Sequence, residues 1–223
     1  MSDGWLEFLL AFAAFFASHA VPVRPPVRAV IERHIGARAF GPLNSGLSLV
    51  MLAWLIGAAG RAPYVGLWPA AVWQAHLALA VMAVVCAIVA LSLGRANPFS
   101  FGGGRGSRFD PARPGLVRWM RHPLLVALFL WSGVHVIANG DLAHVLVFGA
   151  FALFSLVGQR LIDRRKRRVD AAGWDALRAA VAAARGAPAF DLRELMVRGI
   201  VAVLLFSGLL AAHPYLFGVD PLR

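Results

Sequence analysis

Histidines inside apolar stretches are the residues of this sequence whose type and placement suit metal chemistry. His135 lies in "RHPLLVALFLWSGVHVIANG" (residues 121–140), His76 lies in "WQAHLALAVM", and His19 lies in "FASHAVPVRP". Ionisable side chains are costly inside a bilayer, so those that occur there usually mark a functional site. Neutral imidazole is the commonest metal ligand and a frequent axial ligand of haem iron. These histidines therefore indicate a haem site. The alternative is that each histidine only donates a hydrogen bond to a carbonyl of a neighbouring helix.

The depth of each histidine in a bilayer limits how they can pair. From the helical rise per residue and the thickness of the hydrocarbon core, His135 is about 18 Å above the cytoplasmic face, His76 about 21 Å and His19 about 8 Å. His135 and His76 therefore agree in depth. His135 and His19 differ by roughly 10 Å, which tilted helices and a tilted haem can absorb. Either one can be the second ligand beside His135.

The elements that carry these histidines are predicted to be transmembrane helices. Apolar residues make up 60% of the chain and charged residues only 15%, against about a quarter in soluble domains. Stretches near the ~20 residues needed to cross a bilayer fall at six places. They are residues 4–21, 43–60, 70–94, 123–138, 141–159 and 196–216. The fold class expected is an all-α, polytopic membrane bundle of about six helices, in which a tight Asn139-Gly140-Asp141 turn makes a hairpin of the fourth and fifth.

The basic residues orient this bundle. All lysines and arginines except Arg61, Arg198 and Arg223 lie in segments 22–42, 95–122 and 160–195, which alternate with segments that have almost none, and Arg198 lies just inside the last span. The positive-inside rule then places these three segments in the cytoplasm and both termini on the periplasmic side. The net charge of +11 is accounted for by this arrangement and does not indicate nucleic-acid binding.

The chain is expected to form a single domain. Residues 1–168 hold the first five spans, and residues 169–223 add a helix at the cytoplasmic interface and the final span. That helix, "WDALRAAVAAA", places Trp174, Leu177 and Val181 on one face, and a solvated helix is the alternative. The Gly- and Pro-rich segment 97–115 is expected to be a mobile loop. The only cysteine, Cys86, excludes an intrachain disulfide and a cysteine-based metal cluster.

Four stretches of the chain up to about residue 168 resemble the NnrU family of bacterial membrane proteins. They are "FASHAVPVRPPVR", "GPLNSGLSLVMLAWLI", "HLALAVM" and "RHPLLVALFLWSGVHVIANGDLAHVLVFGAFALF". The resemblance implies a multi-pass protein of the bacterial inner membrane, from a family named for its place among genes of nitric-oxide and nitrite metabolism. It also implies a likeness to a plant relative, 15-cis-zeta-carotene isomerase, which holds haem b through histidines.

By this resemblance the haem ligands fall on His135 and His19, and the depth estimate keeps His76 as the alternative second ligand. Ser132 stands where the plant enzyme has a cysteine that is proposed to exchange as a ligand, so no such exchange is expected here. The leading hypothesis is a haem b-binding membrane protein that is isomerase-like or associated with nitrogen-oxide metabolism. Its partners would be the lipid bilayer and a lipid-soluble or gaseous small molecule.

A looser resemblance gives the alternative hypothesis. Arg121 and His122 before Pro123, followed by a helical hairpin and a basic segment, look like membrane methyltransferases of the isoprenylcysteine and phospholipid type. The resemblance implies that Arg121 and His122 help bind S-adenosylmethionine, but the paired glutamates of those enzymes are absent. In a structural role, Arg121 would reach anionic headgroups and Pro123 would start the helix. A non-catalytic membrane subunit is the third hypothesis.

Overall fold

A computed structural model describes residues 3–100, 109–186 and 188–222, and the elements within these ranges are helical. The eight α-helices are α1 (Asp3–Ala20), α2 (Pro25–Ile35), α3 (Ala37–Arg61), α4 (Val72–Ser92), α5 (Pro123–Ala138), α6 (Leu142–Val169), α7 (Ala171–Ala183) and α8 (Leu192–Phe217). Two short 3₁₀ helices, Gly115–Arg118 and Ala184–Gly186, precede α5 and follow α7. The predicted all-α membrane bundle is confirmed.

Several of these helices are long and apolar enough to cross a membrane. The helices α3, α4, α6 and α8 meet this condition, and α1 with α2 adds a fifth candidate if the pair, bent by 82°, counts as one span. The helix α5 has 16 residues and is shorter than a full span. The chain is therefore a multi-pass membrane protein with four or five candidate spans. The six spans expected from the sequence and the periplasmic placement of both termini stay predictions.

The apolar surface of the helices fits a lipid environment. Along α8 no residue is buried, and Ile200, Val203 and Leu204 are each more than half exposed. An apolar surface of this extent is rare on a monomer that is surrounded by water. Lipid acyl chains can cover it without cost, because every backbone amide inside a helix is already hydrogen-bonded.

The helices begin where the sequence supplies the appropriate residues. Pro25 and Pro123 occupy the first positions of α2 and α5, where a missing N–H costs nothing. The side chains of Asp170 and Asp191 cap α7 and α8 by accepting from the backbone N–H of Gly173 and Glu194, at 2.8 and 2.7 Å. The bounds of α5 are the residues 123–138 that the apolar pattern predicted.

The described residues form two compact units. The first comprises residues up to Pro69 together with Gly140–Val147. In it α1 packs on α3, with Phe8, Phe15 and Leu55 buried. The Arg61 guanidinium also donates to both carboxylate oxygens of Glu7, at 3.1 and 2.6 Å.

The second unit comprises Ala70–Asn139 and the residues from Phe148 onward. Its largest helix contacts are those of α4 with α5 and of α4 with α8. Val85, Ile88 and Ala127 are buried where α4 meets α5. This unit carries His76, His135, Arg121 and His122, whereas His19 belongs to the first unit. The expected division into residues 1–168 and 169–223 of a single domain stays a prediction.

The predicted apolar face of α7 is packed against protein. Trp174 and Val181 are buried together with Phe99 and Val117, and Leu177 packs against this cluster. The rings of Phe99 and Trp174 meet edge to face, with their centroids 5.0 Å apart. This face of α7 therefore covers the segment before α5, and the placement of the helix at the cytoplasmic interface stays a prediction.

The segment expected to be a mobile loop is packed in its first part. Phe99 has no exposed surface, and Ser100 is also buried. The expectation of a mobile loop is wrong for residues 97–100, because the ring of Phe99 fills the space beside Trp174. The "GGGRG" stretch lies outside the described residues.

Candidate functional site

His135 is held with one ring nitrogen committed to its own helix. Its Nδ1 lies 2.7 Å from the carbonyl oxygen of Trp131, one turn earlier in α5. Since a carbonyl only accepts, Nδ1 carries the proton, and Nε2 keeps the lone pair that a metal ligand needs. A histidine that binds a metal commonly makes this bond with its other nitrogen, because the bond fixes the tautomer and the orientation of the ring.

Aromatic rings on α5 and α6 surround His135. The imidazole lies 5.2 Å from the ring of Trp131 and 4.9 Å from that of Phe148, between centroids. Trp131 also meets Phe148 edge to face at 5.1 Å. The half-buried imidazole is thus in an apolar setting. The unprotonated Nε2 of His135 is therefore a donor of the kind that binds haem iron.

The two candidates for the second ligand lie in more open places. His76 is exposed in the second turn of α4, and it is not among the described contacts of His135. His19 is exposed near the end of α1, with its ring 4.7 Å from that of Phe15. No group of three or more His, Cys, Asp or Glu side chains suited to a metal ion occurs in the part of the chain that the structure describes. One or two histidines suffice for haem, so this last observation bears only on other metal sites.

Arg121 and His122 meet at one carboxylate on α6. Asp163 Oδ2 accepts from Nη2 of Arg121 at 2.6 Å, and Asp163 Oδ1 lies 2.8 Å from Nε2 of His122. The other ring nitrogen of His122, Nδ1, lies 3.1 Å from Oγ of Ser100. The imidazole is 2% exposed, so both of its nitrogens are engaged within the protein. We call Ser100, Arg121, His122 and Asp163 the basal cluster.

The basal cluster bears on the methyltransferase hypothesis. In that hypothesis Arg121 and His122 contact the cofactor, but here the buried imidazole contacts Ser100 and Asp163. The structure thus brings the two predicted residues together at a carboxylate. Their role in binding S-adenosylmethionine stays a prediction.

Further contacts fasten the segment 97–100 beside the basal cluster. The amide nitrogen of Asn97 donates to the carbonyl of Arg121 at 2.9 Å, and its amide oxygen accepts from the backbone N–H of Phe99 at 2.9 Å. Lys166, one turn beyond Asp163, donates to the carbonyl of Pro98. Lys166 of α6 and the carbonyl of Arg121 thereby hold the short turn that brings Ser100 to His122.

A second charged group lies at the ends of α4 and α8. The carboxylate of Glu194 accepts from Arg95 and from Nε of Arg198, the latter at 2.8 Å. Nη1 of Arg198 also donates to the carbonyls of Ala90 and Leu93, at 2.6 and 2.9 Å, where α4 ends. Cations at the carboxyl end of a helix satisfy carbonyls that have no partner within the helix. This group therefore secures α8 to α4.

Between these two groups lies an open cleft in the second unit. Arg95, Asn97 and Ser100 contribute polar groups to its lining, and Leu91, Leu116 and Leu124 contribute apolar side chains. The lining of this shallow cleft is therefore partly polar and partly apolar.

Sequence reasoning did not single out Ser100 or Asp163. Asp163 is the only acidic residue within the basic stretch "RLIDRRKRR", and an isolated carboxylate among arginines could have drawn attention to it. Ser100 lies in a Gly- and Pro-rich stretch, where no pattern separates a buried hydroxyl from a solvated one. Its partner is 22 residues away, so only the tertiary structure identifies it.

Comparison with known proteins identifies the family. The family model described as "NnrU protein" matches residues 7–221 of the 223-residue chain. No protein with a curated description and no solved structure matches it. The match extends through α8, well beyond residue 168, where the resemblance seen in the sequence became weak. Because it covers almost the whole chain, this multi-pass membrane protein belongs to the NnrU family.

Proposed function

We propose that the protein binds haem b within the bacterial inner membrane, with His135 as an axial ligand. The observation that carries the proposal is the 2.7 Å contact between Nδ1 of His135 and the Trp131 carbonyl. This contact leaves Nε2 as the basic nitrogen of a half-buried imidazole. The sequence also left open that His135 donates to a carbonyl of a neighbouring helix. This contact does not support that alternative, because Trp131 and His135 lie on the same helix.

The setting of His135 suits an apolar or gaseous ligand. Trp131 and Phe148 flank the imidazole with aromatic surface, and α5 and α6 are apolar along most of their length. Bound haem would supply an iron atom able to coordinate a gas or a polyene double bond, while the protein supplies the ligand and excludes water. An isomerase-like activity and a role in nitrogen-oxide metabolism both fit this chemistry.

The test is an absorption spectrum of the full-length protein, purified in detergent after expression with added haem precursor. We expect a Soret band that shifts on reduction with dithionite and is lost or displaced in His135→Ala. The matched control is His34→Ala, because Nδ1 of His34 also contacts a carbonyl one turn earlier, that of Val30 at 2.8 Å, but the side chain is exposed on α2. A colourless wild-type protein, or a spectrum that is the same in His135→Ala, would contradict the proposal.

The second ligand is assigned by the same spectra. The family resemblance favours His19, and the depth estimate favours His76. We propose His19, with His76 as the alternative. Loss of the second ligand should convert a low-spin spectrum into a high-spin one while haem stays bound through His135. His19→Ala and His76→Ala are therefore compared with wild type, and the variant that changes spin state identifies the ligand. A low-spin spectrum in both variants would exclude both residues.

A further inference from the structure

The basal cluster contains a serine, a histidine and an aspartate in hydrogen-bonded series. Oγ of Ser100 lies 3.1 Å from Nδ1 of His122, and Nε2 of His122 lies 2.8 Å from Oδ1 of Asp163. The carboxylate can only accept, so Nε2 carries the proton, and Nδ1 is then the acceptor for the Ser100 hydroxyl. This is the proton arrangement that activates a serine nucleophile. We infer that Ser100, His122 and Asp163 form a nucleophilic triad that acts on the carboxylic ester or thioester of an amphiphilic molecule.

The two ring nitrogens of His122 have the reverse roles of those in serine proteases. There the aspartate binds Nδ1 and the serine binds Nε2. The chemistry needs only that one nitrogen donates to a carboxylate while the other accepts from the hydroxyl. Arg121 binds mainly the second oxygen of the carboxylate, Oδ2, at 2.6 and 3.2 Å. Asp163 Oδ1 therefore stays available to orient the imidazole and to stabilise it when it is protonated.

The surroundings of Ser100 indicate the class of substrate. Ser100 lines the shallow cleft described above, where an apolar part of a substrate would lie against Leu91, Leu116 and Leu124. Arg95 lines the same cleft on its polar side, where its guanidinium is held by Glu194 and by the carbonyl of Arg113 at 2.6 Å. An ester or thioester that joins an acyl chain to a polar group matches this combination.

The atoms and electrons of this reaction balance without a cofactor or an oxidant. Oγ of Ser100 attacks the carbonyl carbon while its proton passes to Nδ1 of His122. The bond from the carbonyl carbon to the leaving oxygen or sulfur then breaks, and the leaving group takes that proton as an alcohol or thiol. Water next attacks the acyl-serine, giving one proton to Nδ1. Release of the carboxylic acid returns that proton to Oγ of Ser100.

This inference does not depend on haem binding, because the basal cluster and His135 share no residue or hydrogen bond described here. The two also have separate readouts, since haem gives an absorption spectrum and an activated serine gives a covalent adduct.

The experiment uses an alkyl fluorophosphonate, which phosphonylates activated serines, on the full-length protein in detergent. Trypsin releases residues 96–105 as the peptide "ANPFSFGGGR", in which Ser100 is the only hydroxyl-bearing residue, so mass spectrometry locates the adduct without ambiguity. We expect this peptide to be labelled in the wild-type protein. Labelling should slow by about 100-fold or more in Asp163→Asn, because the imidazole then loses the charge that supports it as a base.

Hydrolysis of p-nitrophenyl esters of increasing chain length measures turnover. Ser100→Ala should abolish it, and longer acyl chains should be preferred. The matched control is Ser155→Ala, because Ser155 is also buried but lies outside the cleft and its hydroxyl donates to the carbonyl of Ala152 at 2.7 Å. A wild-type peptide 96–105 that stays unlabelled would overturn the inference whatever the variants do. Labelling of Asp163→Asn at the wild-type rate, or turnover that persists in Ser100→Ala, would also overturn it.

Discussion

His122 and Asp163 are in contact, although 41 positions separate them in the chain. Nε2 of the histidine lies 2.8 Å from Oδ1 of the aspartate, and the imidazole is 2% exposed. The contact joins the first residue before α5 to the basic end of α6. Arg121 shares the carboxylate, so the single side chain of Asp163 pairs with both residues that precede Pro123.

Removing this carboxylate should destabilise the protein. In Asp163→Ala the buried imidazole loses its acceptor and Arg121 loses its ion pair, and an unsatisfied buried polar group costs about 1–3 kcal/mol. The control is Asp175→Ala, because Asp175 pairs with Arg167 at 3.8 Å with both side chains more than half exposed, and such pairs contribute about 0–1 kcal/mol. Thermal unfolding in detergent, followed by tryptophan fluorescence, should show a clear loss of Tm only in Asp163→Ala. Equal Tm values in the two variants would contradict the role given to the contact.

The helices could be predicted largely from the sequence, because helix formation depends on local patterns. The apolar stretch 123–138 coincides with α5, and the prolines at 25 and 123 stand at helix starts. Periodicity also identified Trp174, Leu177 and Val181 as one face of α7. It could not identify Phe99 as the residue that this face covers, because an apolar pattern shows which side is buried and not what buries it.

The candidate sites could be predicted only in part. His135 was identified from its apolar surroundings, but the commitment of its Nδ1 to the Trp131 carbonyl depends on the rotamer of the side chain. Arg121 and His122 were identified as a pair through resemblance. Their meeting with Asp163 and Ser100 depends on chain segments that are distant in sequence, and no local pattern encodes such contacts.

Trp174 should contribute strongly to stability. Its side chain is 6% exposed and packs on Phe99, so Trp174→Ala opens a cavity, and such changes cost about 3–5 kcal/mol. The control is Trp119→Ala, because Trp119 is 65% exposed and should be replaced with little effect. Thermal unfolding in detergent followed by circular dichroism at 222 nm suits both variants, since each loses one tryptophan. Similar Tm values for the two would show that the contact between α7 and Phe99 contributes little.

Gly140 should be required in the turn between α5 and α6. Its carbonyl accepts from the backbone N–H of Leu67 at 2.6 Å, and a Cβ added to it would lie 2.0 Å from the carbonyl oxygen of Trp68. Neither atom of that clash belongs to a flexible side chain, so Gly140→Ala must displace the backbone of residues 67–68 or of the turn.

The expected cost of Gly140→Ala is about 1–3 kcal/mol, as for other overpacked sites. The control is Gly46→Ala in α3, where an added Cβ meets no atom within 4 Å and alanine is the better helix former. Thermal unfolding in detergent should give a lower Tm for Gly140→Ala and an unchanged or higher Tm for Gly46→Ala. A Gly140→Ala protein as stable as wild type would mean that the turn relaxes without loss of the contact between Gly140 and Leu67. In that case the packing of α5 on α6 through Trp131 and Phe148 would be sufficient to hold the hairpin.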